Sequence, residues 1–267
     1  MENHNLQEWL LDQKESVFSW VDKNQHLFFL TDKSCAEYYE EVLFRTRRTE
    51  CLREKALTYL MRSFDLHDLQ NIQYSSLNNS KFNIDYRFLE KNAIYVLYKG
   101  KGHNLIDEGR ILSNSCFKKL IVHDYPRSVL LDRNFLYSIT HFCFYFSYFN
   151  EQTSHFRRMV FNEIPKIRVK QILVLGMYIS LIKRDIDVLL ELLVSSVLLD
   201  CMNDLDFHLQ QLIILYLEKS YVQAGYINPI LGTSGLQSTP NMSINAQLDF
   251  KDIYHSSLIL KILLNVL

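Results

Sequence analysis

Residues 182–200 read IKRDIDVLLELLVSSVLLD, and after Asp187 the run keeps almost no polar face. A helix that is apolar most of the way round belongs inside a stack of other helices, not on its surface. Working outward, the same periodicity of three and four recurs in almost every direction. Downstream it predicts helices over Asp204–Ala224 and Asp249–Val266. Upstream, Pro165 precedes a helix over Ile167–Ile182, and Pro126 precedes a longer one over Ser128–Phe149 with a break near Asp132 and Arg133. Further helices are expected over Asp107–Val122 and over Tyr86–Tyr98, the latter punctuated by Gly100 and Gly102. A continuous pattern runs from Cys35 to Ser63, and one stripe links Leu6, Trp9 and Leu10 to Val17, Phe18 and Val21.

Sustained period-two alternation is missing, so no sheet is expected; Phe28–Thr31 reads either as a short strand or as an irregular turn. The fold class is all-α, an array of roughly ten antiparallel helices joined by short connections, closed as an α/α toroid or open as a curved helical solenoid. One helical domain over 1–267 is expected, with a soft boundary near 100–105. One connection breaks the rhythm. Residues 225–247, GYINPILGTSGLQSTPNMSINAQ, hold three Gly and two Pro without a stripe, and read either as a lid or pocket wall or as a surface connection.

Composition narrows the function classes. With 48% apolar and 13% aromatic residues among 267, the chain has the material for a large core, and disorder is excluded. Twenty-nine basic against 30 acidic residues leave a net charge of -1, so no global field gathers nucleic acid. The five cysteines, at 35, 51, 116, 143 and 201, form neither a CxxC pair nor a zinc spacing; Cys143 and Cys201, in apolar runs, read as buried reduced thiols. MENHNLQEWLLDQ lacks the basic and apolar regions of a signal peptide, and the longest apolar stretches fall short of a membrane span. The expectation is a cytoplasmic protein whose partners are a small-molecule or peptide substrate, with neither nucleic acid nor membrane. Its cofactors and oligomeric state are not determined by the sequence.

The candidate chemistry lies in the second half. Tyr137, His141, Tyr145 and Tyr148 fall close to one helical face. A histidine among tyrosines has the partners that fix its tautomer, which suits general acid–base work or metal ligation; a buried histidine satisfied by neighbouring hydroxyls is the alternative. Asp187 and Glu191 stand one turn apart among Val, Leu and Ile, where two anions are costly unless paired, protonated or bound to a cation. The alternative for Asp187 is an acidic first turn favoured by the helix dipole. His255, beside Tyr254, opens the last apolar stretch. Should the helices of His141, Glu191 and His255 pack together, two imidazoles and one or two carboxylates would meet, a set suited to Zn, Fe or Mn or to proton transfer. The metal itself is not identified.

Other features carry ordinary explanations. Asp204 and His208 stand at i, i+4, with Asp204 a natural N-cap, and the basic cluster Arg45, Arg47, Arg48, Arg53, Lys55 and Arg62 is interleaved with Glu50 and Glu54 as a solvated face. No P-loop, GxGxxG, GxSxG or HExxH occurs.

Taken together, Thr140, His141, Phe144 and Tyr145, then Asp185, Asp187 and Glu191, then Tyr254 and His255 resemble an uncharacterised family of bacterial all-helical proteins found near specialised-metabolite gene sets. The resemblance covers residues 130–267. Where that family often ends its aromatic helix in an Asp-containing turn, this chain has Ser147, Tyr148, Phe149 and Asn150. The resemblance implies a setting in specialised metabolism and supplies no activity. The residue pattern itself points first to an enzyme or small-molecule-binding protein with a Tyr/Phe-lined pocket. The alternative is a non-catalytic helical scaffold that binds a protein or peptide.

Overall fold

The computed structural model describes residues 5–45, 50–65, 86–100, 132–222, 225–228 and 246–267. Among these the chain is all-α, with twelve α-helices: α1 (Leu6–Asp12), α2 (Lys14–Lys23), α3 (Gln25–Phe28), α4 (Asp32–Phe44), α5 (Glu50–Ser63), α6 (Tyr86–Lys99), α7 (Arg133–Phe146), α8 (Thr153–Glu163), α9 (Lys166–Lys183), α10 (Ile186–Leu198), α11 (Phe207–Ser220) and α12 (Ala246–Val266). The helix expected over Asp107–Val122 lies outside the described residues, as do 229–245 of the long connection.

Local chemistry sets the boundaries. Asn5 and Glu8 form a reciprocal capping box on α1. Thr31 caps α4, so Phe28–Thr31 is the end of α3 and a turn, not a strand. Asp132 caps α7, which starts at Arg133; residues 128–131 of the helix expected over Ser128–Phe149 lie outside the described residues. Asp185 caps α10 through the Val188 amide at 3.3 Å. Asp206, not Asp204, caps α11, its side chain accepting from the Leu209 amide at 2.9 Å; Asp204 sits in the preceding 3-10 turn and pairs with Lys166 at 3.3 Å. The expectation of no sheet needs one correction. Helix α11 stops at Ser220, and Tyr221–Val222 (β1) pairs antiparallel with Tyr226–Ile227 (β2). Gly225, at φ 96°, makes the turn possible, and the Ser257 hydroxyl accepts the Ile227 amide at 3.0 Å, pinning the hairpin to α12.

The apolar run within residues 182–200 forms the central helix, α10. In α10 every residue from Val188 to Ser196 is buried, and α10 packs against α7, α9 and α12. Gly176 of α9 permits close approach there, since a Cβ at that position would lie 2.9 Å from Leu192 Cδ1. Six helices touch in cyclic order: α10 meets α12, α12 meets α4, α4 meets α5, α5 meets α6, α6 meets α7, and α7 returns to α10. This circuit brings the first third of the chain against its last helix and surrounds the site described next.

Candidate functional site

Between α4, α6, α7, α10 and α12 lies a cavity of about 950 Å3. His141, Asp187, Glu191 and His255, separated by up to 114 positions in sequence, all face it, together with Tyr137, Tyr145 and Tyr254. Tyr148 does not. Helix α7 ends at Phe146, and Tyr148, Phe149 and Asn150 take positive φ values of 49°, 52° and 75°. The left-handed turn carries the Tyr148 ring off the shared face and into the core, where it is 2% exposed.

Each charge has a structural partner. His255 Nδ1 lies 3.4 Å from Asp187 Oδ1, and its Nε2 lies 4.0 Å from Glu191 Oε1. The Ser256 hydroxyl also donates to Asp187 Oδ1. Arg133 straddles the start of α10, with Nε 2.5 Å from Asp185 Oδ2 and a terminal nitrogen 3.6 Å from Asp187 Oδ2. Its guanidinium stacks 4.8 Å from the Tyr137 ring centroid and donates to the Tyr137 hydroxyl at 3.0 Å. Burial opposes the charge on both members of the Asp187–His255 pair, and mutual attraction outweighs it. His255 is raised to about 9 by Asp187 and, further off, by Glu37 and Glu191. Asp187 is held below the usual carboxylate range by His255, Ser256 and Arg133. At neutral pH this couple is charged.

The second couple is neutral. His141 is lowered to about 4, first by burial and also by the positive His255; the rings of Tyr137, Phe144 and Tyr145 surround it at 5.6–5.9 Å. Its Nδ1 lies 2.8 Å from the Tyr137 carbonyl. A carbonyl only accepts, so Nδ1 carries the proton and Nε2 the lone pair. Glu191, 1% exposed, is pushed up to about 8 by burial, against the pull of His255 and Thr140. The Thr140 hydroxyl decides how it is held. Oγ1 is 2.5 Å from Glu191 Oε2 and 2.9 Å from the Tyr137 carbonyl. With a single proton Thr140 can serve only one of them. A protonated Glu191 satisfies both contacts: it donates to Thr140 Oγ1, and Thr140 donates to the carbonyl.

Three further carboxyls that the sequence reading passed over line the cavity: Glu37 and Glu40 on α4 and Glu90 on α6. Glu40 is raised well above its usual range by burial and then by the charge and hydrogen bond of Glu90. The signal that would have found them is the one applied to Asp187 and Glu191, acidic residues on apolar helices, here within CAEYYEEVLF and FLEKNAIYVL. Of the basic cluster, Arg45 pairs with buried Glu41 at 2.7 Å and Arg53 with Glu151 at 3.2 Å, so both serve packing; Arg47 and Arg48 lie outside the described residues. Cys35, Cys143 and Cys201 are free and buried, while Cys51 is exposed. Among the described residues no three His, Cys, Asp or Glu side chains are placed to share one metal ion. No helix there is long and apolar enough to cross a membrane.

The chain matches no protein-family model, and no curated protein or solved structure is similar to it.

Proposed function

We propose that this chain binds a small molecule in the cavity and acts on it by general acid–base chemistry. One observation carries the reading: four ionisable groups from three helices, α7, α10 and α12, meet at the cavity as a charged couple beside a neutral one. Groups whose environments push their pKa values apart are what acid–base division of labour needs. Glu191, protonated up to about pH 8, is the proton donor. His141, neutral down to about pH 4 with its lone pair on Nε2, is the acceptor. His255, held in its cationic form by Asp187, places a positive charge beside Glu191, suited to a developing anion. Tyr137, Tyr145 and Tyr254 form walls for an apolar or aromatic body. The sequence resemblance would place such an activity in bacterial specialised metabolism. A scaffold reading would have the four groups dispersed along a broad groove, and their convergence favours the pocket.

The test is a thermal-shift screen of small metabolites followed by turnover assays on the hits. His141→Ala, Glu191→Ala and His255→Ala should each abolish turnover while far-UV circular dichroism stays helical. Turnover should hold a plateau between pH 4 and 8, falling below as His141 takes a proton and above as Glu191 loses one. Hits that bind and turn over equally well in all three variants would refute the reading.

A further inference from the structure

Where α10 meets α12, one donor and one acceptor face each other without touching. His255 Nδ1 is turned to Asp187, which leaves Nε2 directed at Glu191. In the imidazolium that Asp187 holds, Nε2 carries a proton. Glu191 Oε2 is engaged with Thr140, and a proton on Oε2 leaves Oε1 a bare acceptor. The two atoms stand 4.0 Å apart, beyond a direct hydrogen bond. Neither meets another hydrogen-bond partner among the described residues and neither is shut off from solvent, so both open onto the cavity. A single oxygen about 2.8 Å from each would complete both bonds, at close to a right angle. It must accept from Nε2 and donate to Oε1. A hydroxyl does both; a carbonyl, an ether or an ammonium does only one. Charge at this wall is balanced, Arg133 and His255 standing against Asp185 and Asp187, so neither a cation nor an anion is drawn to it.

We propose that the ligand of this cavity is a neutral hydroxyl compound, a phenol or an alcohol on an aromatic or aliphatic body, whose oxygen bridges His255 Nε2 and Glu191 Oε1. The proposal rests on the pocket reading above and assigns its substrate class. The ligand oxygen accepts a hydrogen bond from the imidazolium and donates one to the carboxyl. No proton changes hands in this contact, which serves recognition. A water molecule can make the same two bonds, and a ligand hydroxyl that displaces it reproduces them. A methoxy or methyl group in its place leaves one or both atoms unmatched, which costs affinity. The body of the ligand lies against Phe44, Phe144, Leu258, Ile259 and Ile262, which line the same cavity.

Isothermal titration calorimetry of the full chain with para-ethylphenol and phenylethanol tests this, with para-ethylanisole and ethylbenzene as analogues that lack the hydroxyl proton or the oxygen. Ethylphenol should bind at least about tenfold more tightly than either analogue, the difference expected of a hydrogen bond to a charged group. His255→Phe removes the donor and keeps a ring, and Glu191→Leu removes the acceptor. Each should bring ethylphenol down to the affinity of ethylbenzene and leave ethylbenzene itself unchanged. Glutamine offers a carbonyl oxygen in place of Oε1 and an amide donor towards Thr140, so Glu191→Gln should keep the preference for ethylphenol. No binding of either hydroxyl compound at millimolar concentration overturns the proposal. So does ethylanisole or ethylbenzene binding as tightly as ethylphenol, the result expected if water alone bridges the two atoms. A preference for ethylphenol indifferent to both His255→Phe and Glu191→Leu overturns it as well. The two readings fail separately. Selective binding of hydroxyl compounds with turnover of none sinks the acid–base reading and keeps the hydroxyl site. Turnover confined to compounds without a hydroxyl, dependent on His141 and Glu191, does the reverse.

Discussion

At the residue scale, the site is defined by which carboxyl keeps its proton. Glu191 has a folded-state pKa of about 8 against an ordinary 4.5. Between those values the folded chain holds a proton the unfolded chain has lost, so stability falls as pH rises through that window. Glu191→Gln removes the effect, and its stability advantage over the natural chain should grow from pH 4.5 to 8 by up to about 1.4 kcal/mol per pH unit. Urea denaturation at several pH values measures this; a difference constant with pH would mean Glu191 is ionised. His255 runs the same way for the opposite reason. Its charged form is favoured in the fold, so its contribution is complete below about pH 6.5 and is lost as pH rises towards 9. Asp187→Asn deletes the hydrogen bond and charge that overcome burial. The His255 ring protons should then titrate at or below the ordinary 6.5 in NMR spectra instead of near 9, and a midpoint unmoved by the substitution would show that Asp187 does not hold the charge. The logic that singled out Asp187 and Glu191 in the sequence, acids on an apolar helix, was sufficient because burial is written in the neighbouring residues. Arg133 and Thr140 were not legible that way: both have ordinary helical surroundings, and their roles arise only where α7 crosses α10.

At the element scale, most of the longer described helices were legible from periodicity, and their caps sharpened the ends at Thr31, Asp132 and Asp185. Helix α8, Thr153–Glu163, was not expected, its stretch TSHFRRMVFNE being largely polar with only Phe156 and Val160 buried. What also escaped was the ending of a helix that has no glycine or proline to stop it. Helix α7 gives way to three residues with positive φ at Tyr148, Phe149 and Asn150, a conformation that aromatic residues adopt only when tertiary packing compensates. That is why Tyr148 reads as a face residue and folds as a core residue. The β1–β2 hairpin escaped because two-residue strands carry no period. Its glycine is nonetheless a sharp constraint. Gly225 combines φ 96° with a contact in which an added Cβ would lie 2.0 Å from the Ser16 carbonyl oxygen on α2. Gly225→Ala should cost roughly 2–4 kcal/mol, strain and steric overlap together. Gly100 has φ 85° with open space around it, and Gly100→Ala should cost only about 1 kcal/mol. Equal losses of denaturation midpoint in the two variants would show that the hairpin does not press on α2.

At the scale of the whole molecule, the cavity exists because the helix circuit closes, and closure depends on α4 meeting α12 across most of the chain. That pairing was not legible in the sequence, since no repeat or local motif relates residues 32–44 to 246–266; nor, for the same reason, was the meeting of Glu40 with Glu90 across α4 and α6. The junction is held partly by Glu41, fully buried, which binds Arg45 through both its oxygens and accepts from Asn265 Nδ2 at 2.9 Å. Arg45 in turn lies over the Tyr38 ring at 6.0 Å. Removing one partner of a buried pair leaves the other charge uncompensated, so Glu41→Ala should lose about 3–5 kcal/mol. The loss should be global, because α4 and α12 both wall the cavity and their direct contact is the link that closes the circuit. Far-UV and near-UV circular dichroism should therefore shift together to lower denaturant, and ligand binding should vanish with them. Glu191→Gln provides the contrast, losing activity while keeping or gaining stability. If Glu41→Ala instead melts only its near-UV signal, or binds ligand as the natural chain does, then α4 is an appendage and the cavity is held by α7, α10 and α12 alone.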